Sequence, residues 1–282
     1  MKRSKVSKAT LAAAAAAALA LTAGACSDDG GNGGSGDGGS DKITVGIKYD
    51  QPGLGLKTPD GTYTGFDVDV ATYIAKELGH DPKDIVFKEA KSADRETLLQ
   101  RGDVDFIAAT YSINDERAKK VDFAGPYLLA HQDVLIRSDD KSITKPADLN
   151  NKKLCSVTGS TSAQNVKTKL APNAQLQEYG GYSECLTGLE NGVIDALTTD
   201  DSILAGYAAQ DEFKGKFKLG GFKMSNENYG IGVQKGSELK AKINTALEKM
   251  VADGSWETYV KKNFGPANYQ NEPAPKVGVI VK

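Results

Sequence analysis

The chain has 282 residues, and its 35 Lys and Arg against 37 Asp and Glu give a formal net charge of −2. Nucleic acids and anionic lipid surfaces need a basic face on their protein partner, and this balance supplies none, so neither is expected as a partner. The two histidines, His80 and His131, have no ligand-like spacing to the cysteines, so neither a metal site nor a cofactor is expected.

The N-terminal 25 residues have the pattern of a secretory signal. Four basic residues among the first eight precede an apolar run over 10–21, which is too short to span a membrane. The small residues before Cys26 resemble a lipobox, the site at which a bacterial cysteine is diacylated, although Ala23 stands where Leu is most usual. Cleavage after Ala25 that leaves a free thiol is the alternative.

Residues 26–41 are rich in Gly, Ser and Asp, with no apolar residue after Cys26. This composition predicts a flexible tether about 20 Å across. A tether directly after Cys26 favours lipid attachment, so we expect an extracytoplasmic protein that contacts the membrane only through that lipid. Removal of residues 1–25 leaves 31 Lys and Arg against 37 Asp and Glu, a formal charge of −6. The remaining length is large for one simple core and predicts two lobes.

The chain after the tether alternates strand and helix patterns, which predicts an α/β lobe with a parallel sheet. Strands are expected at 42–48, 84–89 and 104–109, helices at 65–78 and 93–100, and a hairpin turn at Asp60-Gly61. Residues 121–127 are turn-like, and a strand over 132–137 leaves this lobe.

A second α/β lobe of similar plan follows. Its expected strands are 153–157, 175–179 and 194–198, and its helices are 163–170 and 183–191. A strand at 229–233 then precedes a long helix that carries Leu239 to Met250 and a final helix at 256–263. The tail over 266–282 is Pro-rich, and its segment 277–281 is either an edge strand or a loose end.

Cys155 and Cys185 are the cysteines that remain after Cys26. An even pair outside the cytosol predicts a disulfide, which would close a loop of about 30 residues and stabilise the fold by roughly 3–4 kcal/mol. Two buried thiols are the alternative.

Polar residues follow the apolar run that ends at Ala109. Ser112 offers a hydroxyl and a backbone N–H, and Arg117 offers a bidentate fork, and these groups together suit a carboxylate. The alternative is an ordinary helix start, with Asn114 or Asp115 as N-cap and a solvated Arg117.

The segment Gly65–Val70, followed by Ile74-Ala75, resembles the signature of bacterial extracellular solute-binding proteins of the polar amino acid family, the capture components of ABC importers. Further matches are Thr110–Arg117, Phe123 with Pro126-Tyr127, Gly192 with Asp195-Ala196, and Gly230-Ile231, so the resemblance covers about 42–265. It implies an α/β fold with two lobes, of the type II periplasmic binding protein kind, and a ligand cleft between lobes joined by two hinge strands. Lobe one is expected at 42–131 plus 226–265 and lobe two at 132–225.

The resemblance assigns Arg117 to the α-carboxylate of a bound amino acid, together with the Ser112 amide. Thr161 is expected to reach the same carboxylate from lobe two, at a helix N-terminus that favours anions. Ser160 lies in the same loop and is included among the expected ligand contacts. Ligands in open α/β sheets bind beyond the C-terminal ends of the strands, where these segments lie.

Asp200 matches the family residue that holds the α-ammonium group. The Thr110 carbonyl and the Ser112 hydroxyl are expected to complete that contact. Asp201 is adjacent and is the alternative ligand, although an unpaired buried carboxylate is costly.

The positions that select the side chain of the ligand are Lys48, Ser92 and Arg95. The resemblance implies that a cation at Lys48, with Ser92 and Arg95, holds a distal carboxylate, as in relatives that bind acidic amino acids. Tyr182 stands where those relatives have a His, so its hydroxyl is expected to donate instead. In the alternative both cations face solvent, with Arg95 bridged to a neighbouring acid.

These assignments predict a monomeric protein that captures L-glutamate, and aspartate less tightly, closes its lobes and docks on an ABC permease. Binding of glutamine or another polar amino acid, and ligand sensing without transport, are the alternatives. Enzymatic activity is not expected: a dehydratase on the same fold needs an acid or base at the reacting carbon, and no catalytic residue is assigned.

Overall fold

The computed structural model describes residues 42–282. The expected secretory signal over 1–25, the tether over 26–41 and Cys26 lie outside the described residues.

Strands and helices alternate along most of the described chain. The strands are β1 Ile43–Ile47, β2 Asp50–Gln51, β3 Gly55–Lys57, β4 Tyr63–Thr64, β5 Ile85–Glu89, β6 Phe106–Ile107, β7 Asp122–Arg137, β8 Lys153–Val157, β9 Gln175–Tyr179, β10 Ala196–Asp200, β11 Phe217–Leu219 and β12 Asn226–Val233. The α-helices are α1 Phe66–Glu77, α2 Arg95–Arg101, α3 Asp115–Ala118, α4 Ser162–Asn165, α5 Tyr182–Glu190, α6 Asp201–Ala208, α7 Leu239–Ala252 and α8 Ser255–Phe264, and a π-helical segment, Val166–Leu170, continues α4.

Two parallel strand clusters share one sheet, with the order β5-β1-β6-β12-β7-β10-β8-β9 and β11 paired to β7. Strands β5, β1 and β6 run parallel at one end, and β9, β8 and β10 run parallel at the other. Between them β7 and β12 are antiparallel. We call the part built on β5-β1-β6 lobe one and the part built on β10-β8-β9 lobe two. A small antiparallel sheet, β2-β3-β4, belongs to lobe one.

Strand β7 is long enough to serve both lobes. It pairs with β12 from Asp122 to His131, and with β10 from Gln132 to Ile136. The predicted turn over 121–127 is therefore wrong, although the strand at 132–137 is confirmed as the end of β7. Gly125 adopts a left-handed φ of 103°, opposite a register shift in β12, so a bulge accommodates the turn-forming residues within the strand.

Most other elements lie where their sequence patterns indicate. Helix α1 buries the apolar face that begins with Phe66 and Val70, and places Asp67 and Asp69 in its first turn. Strands β8 and β9 have the predicted bounds, and β3 and β4 form the predicted hairpin. Helix α6 and strand β11 were not predicted. All residues of α6 from Ser202 to Tyr207 are buried, so its sequence lacks an amphipathic period.

A disulfide joins Cys155 in β8 to Cys185 in α5, with the two Cα atoms 5.8 Å apart. This confirms the predicted pairing, and the alternative of two buried thiols is wrong. The bond fastens the helix to the sheet of lobe two.

The tail over 266–282 forms no strand in its predicted segment, 277–281. It packs against the crossing strands instead. Glu272 Oε1 lies 3.0 Å from His131 Nε2 in β7 and accepts a 2.9 Å hydrogen bond from Lys223 Nζ before β12. Farther on, Val281 N donates to the side chain of Asn228 in β12.

No helix among residues 42–282 is long and apolar enough to cross a bilayer. The same residues contain no group of three or more acidic, His or Cys side chains that could hold a metal ion.

Candidate functional site

A narrow cavity lies between the two lobes. Nine of the ten side chains predicted to contact ligand line it: Ser92, Arg95, Thr110, Ser112, Arg117, Ser160, Thr161, Tyr182 and Asp200. Residues that sequence reasoning did not assign also line it: Ser162, Thr199 and Ile203. Thr199 and Ile203 lie close in sequence to Asp200, at the end of its strand. Their nearness to this predicted contact is the sequence feature that could have identified them as cavity residues.

The tenth predicted residue, Lys48, lies behind Ser92. Its Nζ donates to Ser92 Oγ over 2.8 Å. Lys48 also lines a neighbouring, wider cavity, which shares Tyr182 with the first. The two cavities thus meet at the side chains that were predicted to select the ligand.

Arg117 follows the polar loop after β6 and is 6% exposed. Its Nη1 donates to Ser112 O over 2.8 Å, and its Nη2 reaches lobe two and donates to Gly159 O over 3.1 Å. The N-cap assignment to Asn114 is confirmed, because its Oδ1 accepts from Arg117 N. The alternative that Arg117 faces solvent is wrong, because its side chain is buried. A helix cap and a buried guanidinium therefore coexist in this segment.

Arg95 at the start of α2 is 2% exposed and stacks on Tyr111, with its guanidinium carbon 4.1 Å from the ring centroid. Its Nη1 donates to the Ala109 and Thr110 carbonyl oxygens. Within the described chain it forms no ion pair within 4.0 Å, so the alternative of a bridge to a neighbouring acid is wrong. Burial, followed by the positive charge of Arg117, lowers the pKa of Arg95 to about 10.

Lys48 directly follows the last residue of β1 and is 5% exposed. Burial, followed by the positive charge of Arg95, lowers the pKa of its ammonium group to about 7. Lys48 has no carboxylate within 4.0 Å in the part of the chain that the structure describes. The alternative that both cations face solvent is therefore wrong.

Asp200 ends β10 and is the N-cap residue of α6. It is 5% exposed and accepts a 2.6 Å hydrogen bond from the Tyr229 hydroxyl. Burial, followed by the charge of Glu227, raises the pKa of this carboxyl well above its usual range. A cation that enters the cavity would stabilise its ionised form.

Asp201 occupies a different environment. Its Oδ1 accepts from the backbone N–H groups of His131 and Ser202 and from the Tyr269 hydroxyl. Asp201 is absent from the cavity wall, so its carboxylate serves the crossing strand and the tail. This geometry favours Asp200 over Asp201 as the partner of an ammonium group.

Thr110 is held in an uncommon backbone conformation, with a φ of 45°. Its N–H donates to Asp67 Oδ2 over 2.9 Å, and Asp67 Oδ1 accepts from the Tyr127 hydroxyl over 2.7 Å. Burial raises the pKa of Asp67 to about 6, although the hydrogen bonds from Tyr127 and Thr110 act to lower it. Asp67 and Tyr127 lie in segments that carried the family resemblance, but sequence reasoning gave them no role; they fix the loop that presents Thr110.

Lobe two contributes mainly hydroxyl groups. The Tyr182 hydroxyl accepts from Thr199 Oγ1 over 2.7 Å and donates to Ser160 Oγ over 3.2 Å. Thr161 precedes α4 as its N-cap residue and makes no side-chain cap bond, so its hydroxyl is available at a helix N-terminus. The arrangement offers an anion two guanidinium groups from lobe one and hydroxyl donors from lobe two.

Comparison with known proteins gives concordant results. The family model of bacterial extracellular solute-binding proteins, family 3, matches residues 43–266. The chain is 51% identical over 234 residues to the glutamate-binding protein GluB of Corynebacterium efficiens, covering 79% of each chain. It is 43% identical over 225 residues to the ABC transporter glutamine-binding protein GlnH of Bacillus subtilis, covering 79% of this chain and 81% of that one.

A solved structure of an ancestral arginine-binding protein bound to arginine has a TM-score of 0.74 and 36% identity, and it covers 79% of this chain and 98% of that one. The two-lobe α/β fold and the family resemblance read from the sequence are thereby confirmed. Because the family model spans both lobes and the strands that cross between them, the chain belongs to the bacterial extracellular solute-binding proteins, family 3.

Proposed function

We propose that this protein captures L-glutamate outside the cytoplasm and delivers it to the permease of an ABC transporter. The observation that carries the proposal is a charge imbalance. Lys48 and Arg95 are buried with no carboxylate within 4.0 Å among the described residues, and Arg117 has Glu96 Oε1 at 3.7 Å from its Nε. Asp200 is the one carboxylate among the described residues that line the cavity shared by Arg95 and Arg117. L-glutamate brings two carboxylates and one ammonium group, and so supplies the missing negative charge.

Each charged group of glutamate has an opposite group in the cleft. Arg117 takes the α-carboxylate, together with Thr161 at the start of α4. Asp200 takes the α-ammonium group. Lys48 and Arg95 take the distal carboxylate. Contacts to the Ser92, Thr110, Ser112, Ser160 and Tyr182 groups complete the proposed site.

Glutamine is the second candidate. The Bacillus subtilis relative is a glutamine-binding protein, and the Arg95 guanidinium already donates to three carbonyl oxygens, those of Ser92, Ala109 and Thr110. A neutral ligand would offer Lys48 no carboxylate, so the ammonium group would keep its lowered pKa and add little attraction to the ligand. The name of the Corynebacterium efficiens relative and this lost attraction both support glutamate, with aspartate weaker because its side chain is shorter.

Ligand capture is coupled to lobe closure about the crossing strands. We place lobe one at 42–131 plus 226–265, lobe two at 132–225 and a C-terminal tail at 266–282. The exchange of partners in β7, from β12 at His131 to β10 at Gln132, supports the first of these boundaries. Arg117 and Asp200 stand on opposite lobes, so a ligand that contacts both favours the closed form.

The N-terminal sequence supports removal of residues 1–25 and lipid attachment at Cys26, with 26–41 as a tether. As a member of an extracellular family, the protein is extracytoplasmic. We propose a monomer that binds and does not catalyse. Asp200 is the only acid, and there is no histidine, among the described residues that line the cavity, and we assign that one carboxylate to the α-ammonium group of the ligand.

Titration calorimetry with the twenty amino acids tests the proposed ligand. L-glutamate should bind most tightly, aspartate more weakly and glutamine more weakly still. Tighter binding of glutamine than of glutamate would overturn the proposed specificity. Uptake of radiolabelled glutamate by cells that lack this chain separates transport from sensing, since unchanged uptake would favour sensing.

A further inference from the structure

A short segment of lobe one, Asp50 to Pro52, lies directly on lobe two. Asp50 Oδ2 accepts a 3.1 Å hydrogen bond from the backbone N–H of Tyr182, the first residue of α5. The carbonyl oxygen of Asp50 accepts a 2.5 Å hydrogen bond from the Tyr207 hydroxyl in α6. These contacts join residues that are more than 130 positions apart in the chain. They lie beside the proposed ligand site and meet it at Tyr182, whose backbone N–H bonds Asp50 and whose side chain lines the cavity.

Two glycines of lobe two make room for this segment. A Cβ added to Gly181 would lie 2.8 Å from Asp50 Oδ2, and a Cβ added to Gly206 would overlap the Pro52 carbonyl oxygen. Gly181 has a φ of −140°, and Gly206 lies within α6, so neither position needs glycine for its backbone conformation. At Gly206 the neighbouring atom is backbone, so space for the opposite lobe requires glycine there, whereas at Gly181 an added Cβ would displace the Asp50 carboxylate from its place beside α5.

The N-terminus of α5 is capped from two sides. Glu184 Oε1 accepts from Gly181 N within lobe two, whereas Asp50 accepts from Tyr182 N across the cleft. The first backbone N–H groups of a helix have no partner inside the helix, and a carboxylate beside them is stabilising. The cap of α5 is therefore complete only when lobe one lies against lobe two.

We propose that Asp50 is a positioning residue for lobe closure, which locks the closed form by capping α5 across the cleft while Pro52 seats against Gly206. The inference rests on the proposed function only in requiring that the lobes close on an amino acid. Asp50 contacts lobe two and not the ligand. Its contribution should therefore be the same for every amino acid that the protein binds.

The test measures association and dissociation rates by stopped-flow fluorescence with L-glutamate and L-glutamine. Asp50→Ala should raise the dissociation rate of each bound amino acid by about fivefold, the effect expected for a lost N-cap, with an unchanged association rate. Asp50→Asn retains the acceptor oxygen and should stay within twofold of wild type. The Asp50 charge also raises the pKa of Lys48. An effect confined to glutamate would therefore mean that Asp50 acts through the charge of Lys48, and would overturn its proposed role in lobe closure, which we call the latch.

The matched control is Glu184→Ala, which removes the half of the same cap that lies within lobe two. It should lower the melting temperature while leaving dissociation rates within twofold of wild type. An equal change in dissociation rate for Glu184→Ala and Asp50→Ala would mean that the helix cap matters only for the stability of lobe two, and would overturn the proposal.

Gly206→Ala provides an independent test. Alanine is the better helix former, so the ligand-free variant should melt no lower than wild type. The added methyl group should keep Pro52 from seating, so affinity should fall at least tenfold and the compaction on ligand addition, measured by small-angle X-ray scattering, should be lost. A lower melting temperature of the ligand-free variant would place the contact in the open form as well and would overturn the latch, as would wild-type affinity.

The ligand preference and the latch fail separately in these experiments. Tighter binding of glutamine by the wild-type protein overturns the specificity proposed above. The latch is then judged on the dissociation rate of glutamine alone, with the same variants and the same thresholds.

Discussion

Lys48 Nζ donates to Ser92 Oγ over 2.8 Å, and this hydroxyl is its one hydrogen-bond acceptor among the described residues. The charge of Asp50 acts on this buried ammonium group from farther away, but no carboxylate lies within 4.0 Å of it among the described residues, so it lacks a counter-charge in contact. The distal carboxylate of glutamate would supply that charge.

The first prediction concerns Lys48→Met, which removes the charge and keeps most of the side-chain volume. Loss of a charge-assisted hydrogen bond, worth about 1.5–3 kcal/mol, should weaken glutamate binding by roughly 10- to 100-fold. Glutamine binding should change by less than about threefold. Calorimetry with both ligands measures the difference, and equal losses would remove Lys48 from the side-chain site.

The second prediction is a pH dependence. The pKa of Lys48 is lowered to about 7 by burial and by Arg95, and a bound carboxylate should raise it. A group whose pKa rises on binding contributes affinity that is fully present below its free pKa and is lost as pH rises through the pKa of the complex. Glutamate affinity should therefore fall as pH increases above about 7.

The same linkage requires proton uptake when glutamate binds above pH 7. Calorimetry in buffers with different ionisation enthalpies measures that uptake directly. Lys48→Met should abolish it, and glutamine should cause much less of it. Proton uptake that persists in Lys48→Met would assign the titration to another group.

The third prediction separates the two adjacent acids at the start of α6. Asp200→Asn removes the counter-charge proposed for the α-ammonium group and should weaken every amino acid by roughly 100-fold or more, because a buried pair loses one partner. Asp201→Asn makes the same chemical change but keeps the Oδ1 that accepts from His131, Ser202 and Tyr269. It should leave affinity within about threefold. A larger loss of affinity in Asp201→Asn than in Asp200→Asn would make Asp201 the residue that binds the α-ammonium group.

The fourth prediction concerns the disulfide between Cys155 and Cys185. Replacement of both by Ser should lower the free energy of unfolding by about 3–4 kcal/mol, the loop-closure value for its 30-residue separation. Denaturant unfolding with and without reductant measures this loss. Wild type should respond to reductant and the double variant should not; a response of the double variant would point to a different reducible group.

Local patterns were sufficient for the sequence to predict much of this fold. Strands β8 and β9, helices α1 and α7, and the disulfide lie where composition, periodicity and cysteine number indicated. Helix α6 was missed because it is buried on all sides and has no polar face. Residues 121–127 were misassigned because turn-forming residues at a bulge inside a long strand have the same local signature as a turn.

The candidate site was predictable only through its family likeness. Residue spacing alone could not decide whether Arg117 binds a carboxylate or faces solvent from a helix. It also could not decide whether Lys48 and Arg95 face the cleft or solvent. Burial of Lys48 and Arg95 depends on contacts with Ser92 and Tyr111 that no local pattern encodes. The close approach of Asp50 to Gly181 and of Pro52 to Gly206 could not be predicted either, because the sequence does not distinguish a glycine that makes room for a distant segment from any other glycine.

The tail of the chain has a mechanical consequence. Glu272 holds His131 in one crossing strand and Lys223 at the approach to the other, and Tyr269 is bonded to Asp201 beside the cleft. In the lobe closure proposed above, a rotation that opens the lobes would change the angle between those anchor points and so strain or break these bonds. The stiffness of the proposed joint would thus be set partly by residues beyond 266, where the family pattern has already ended.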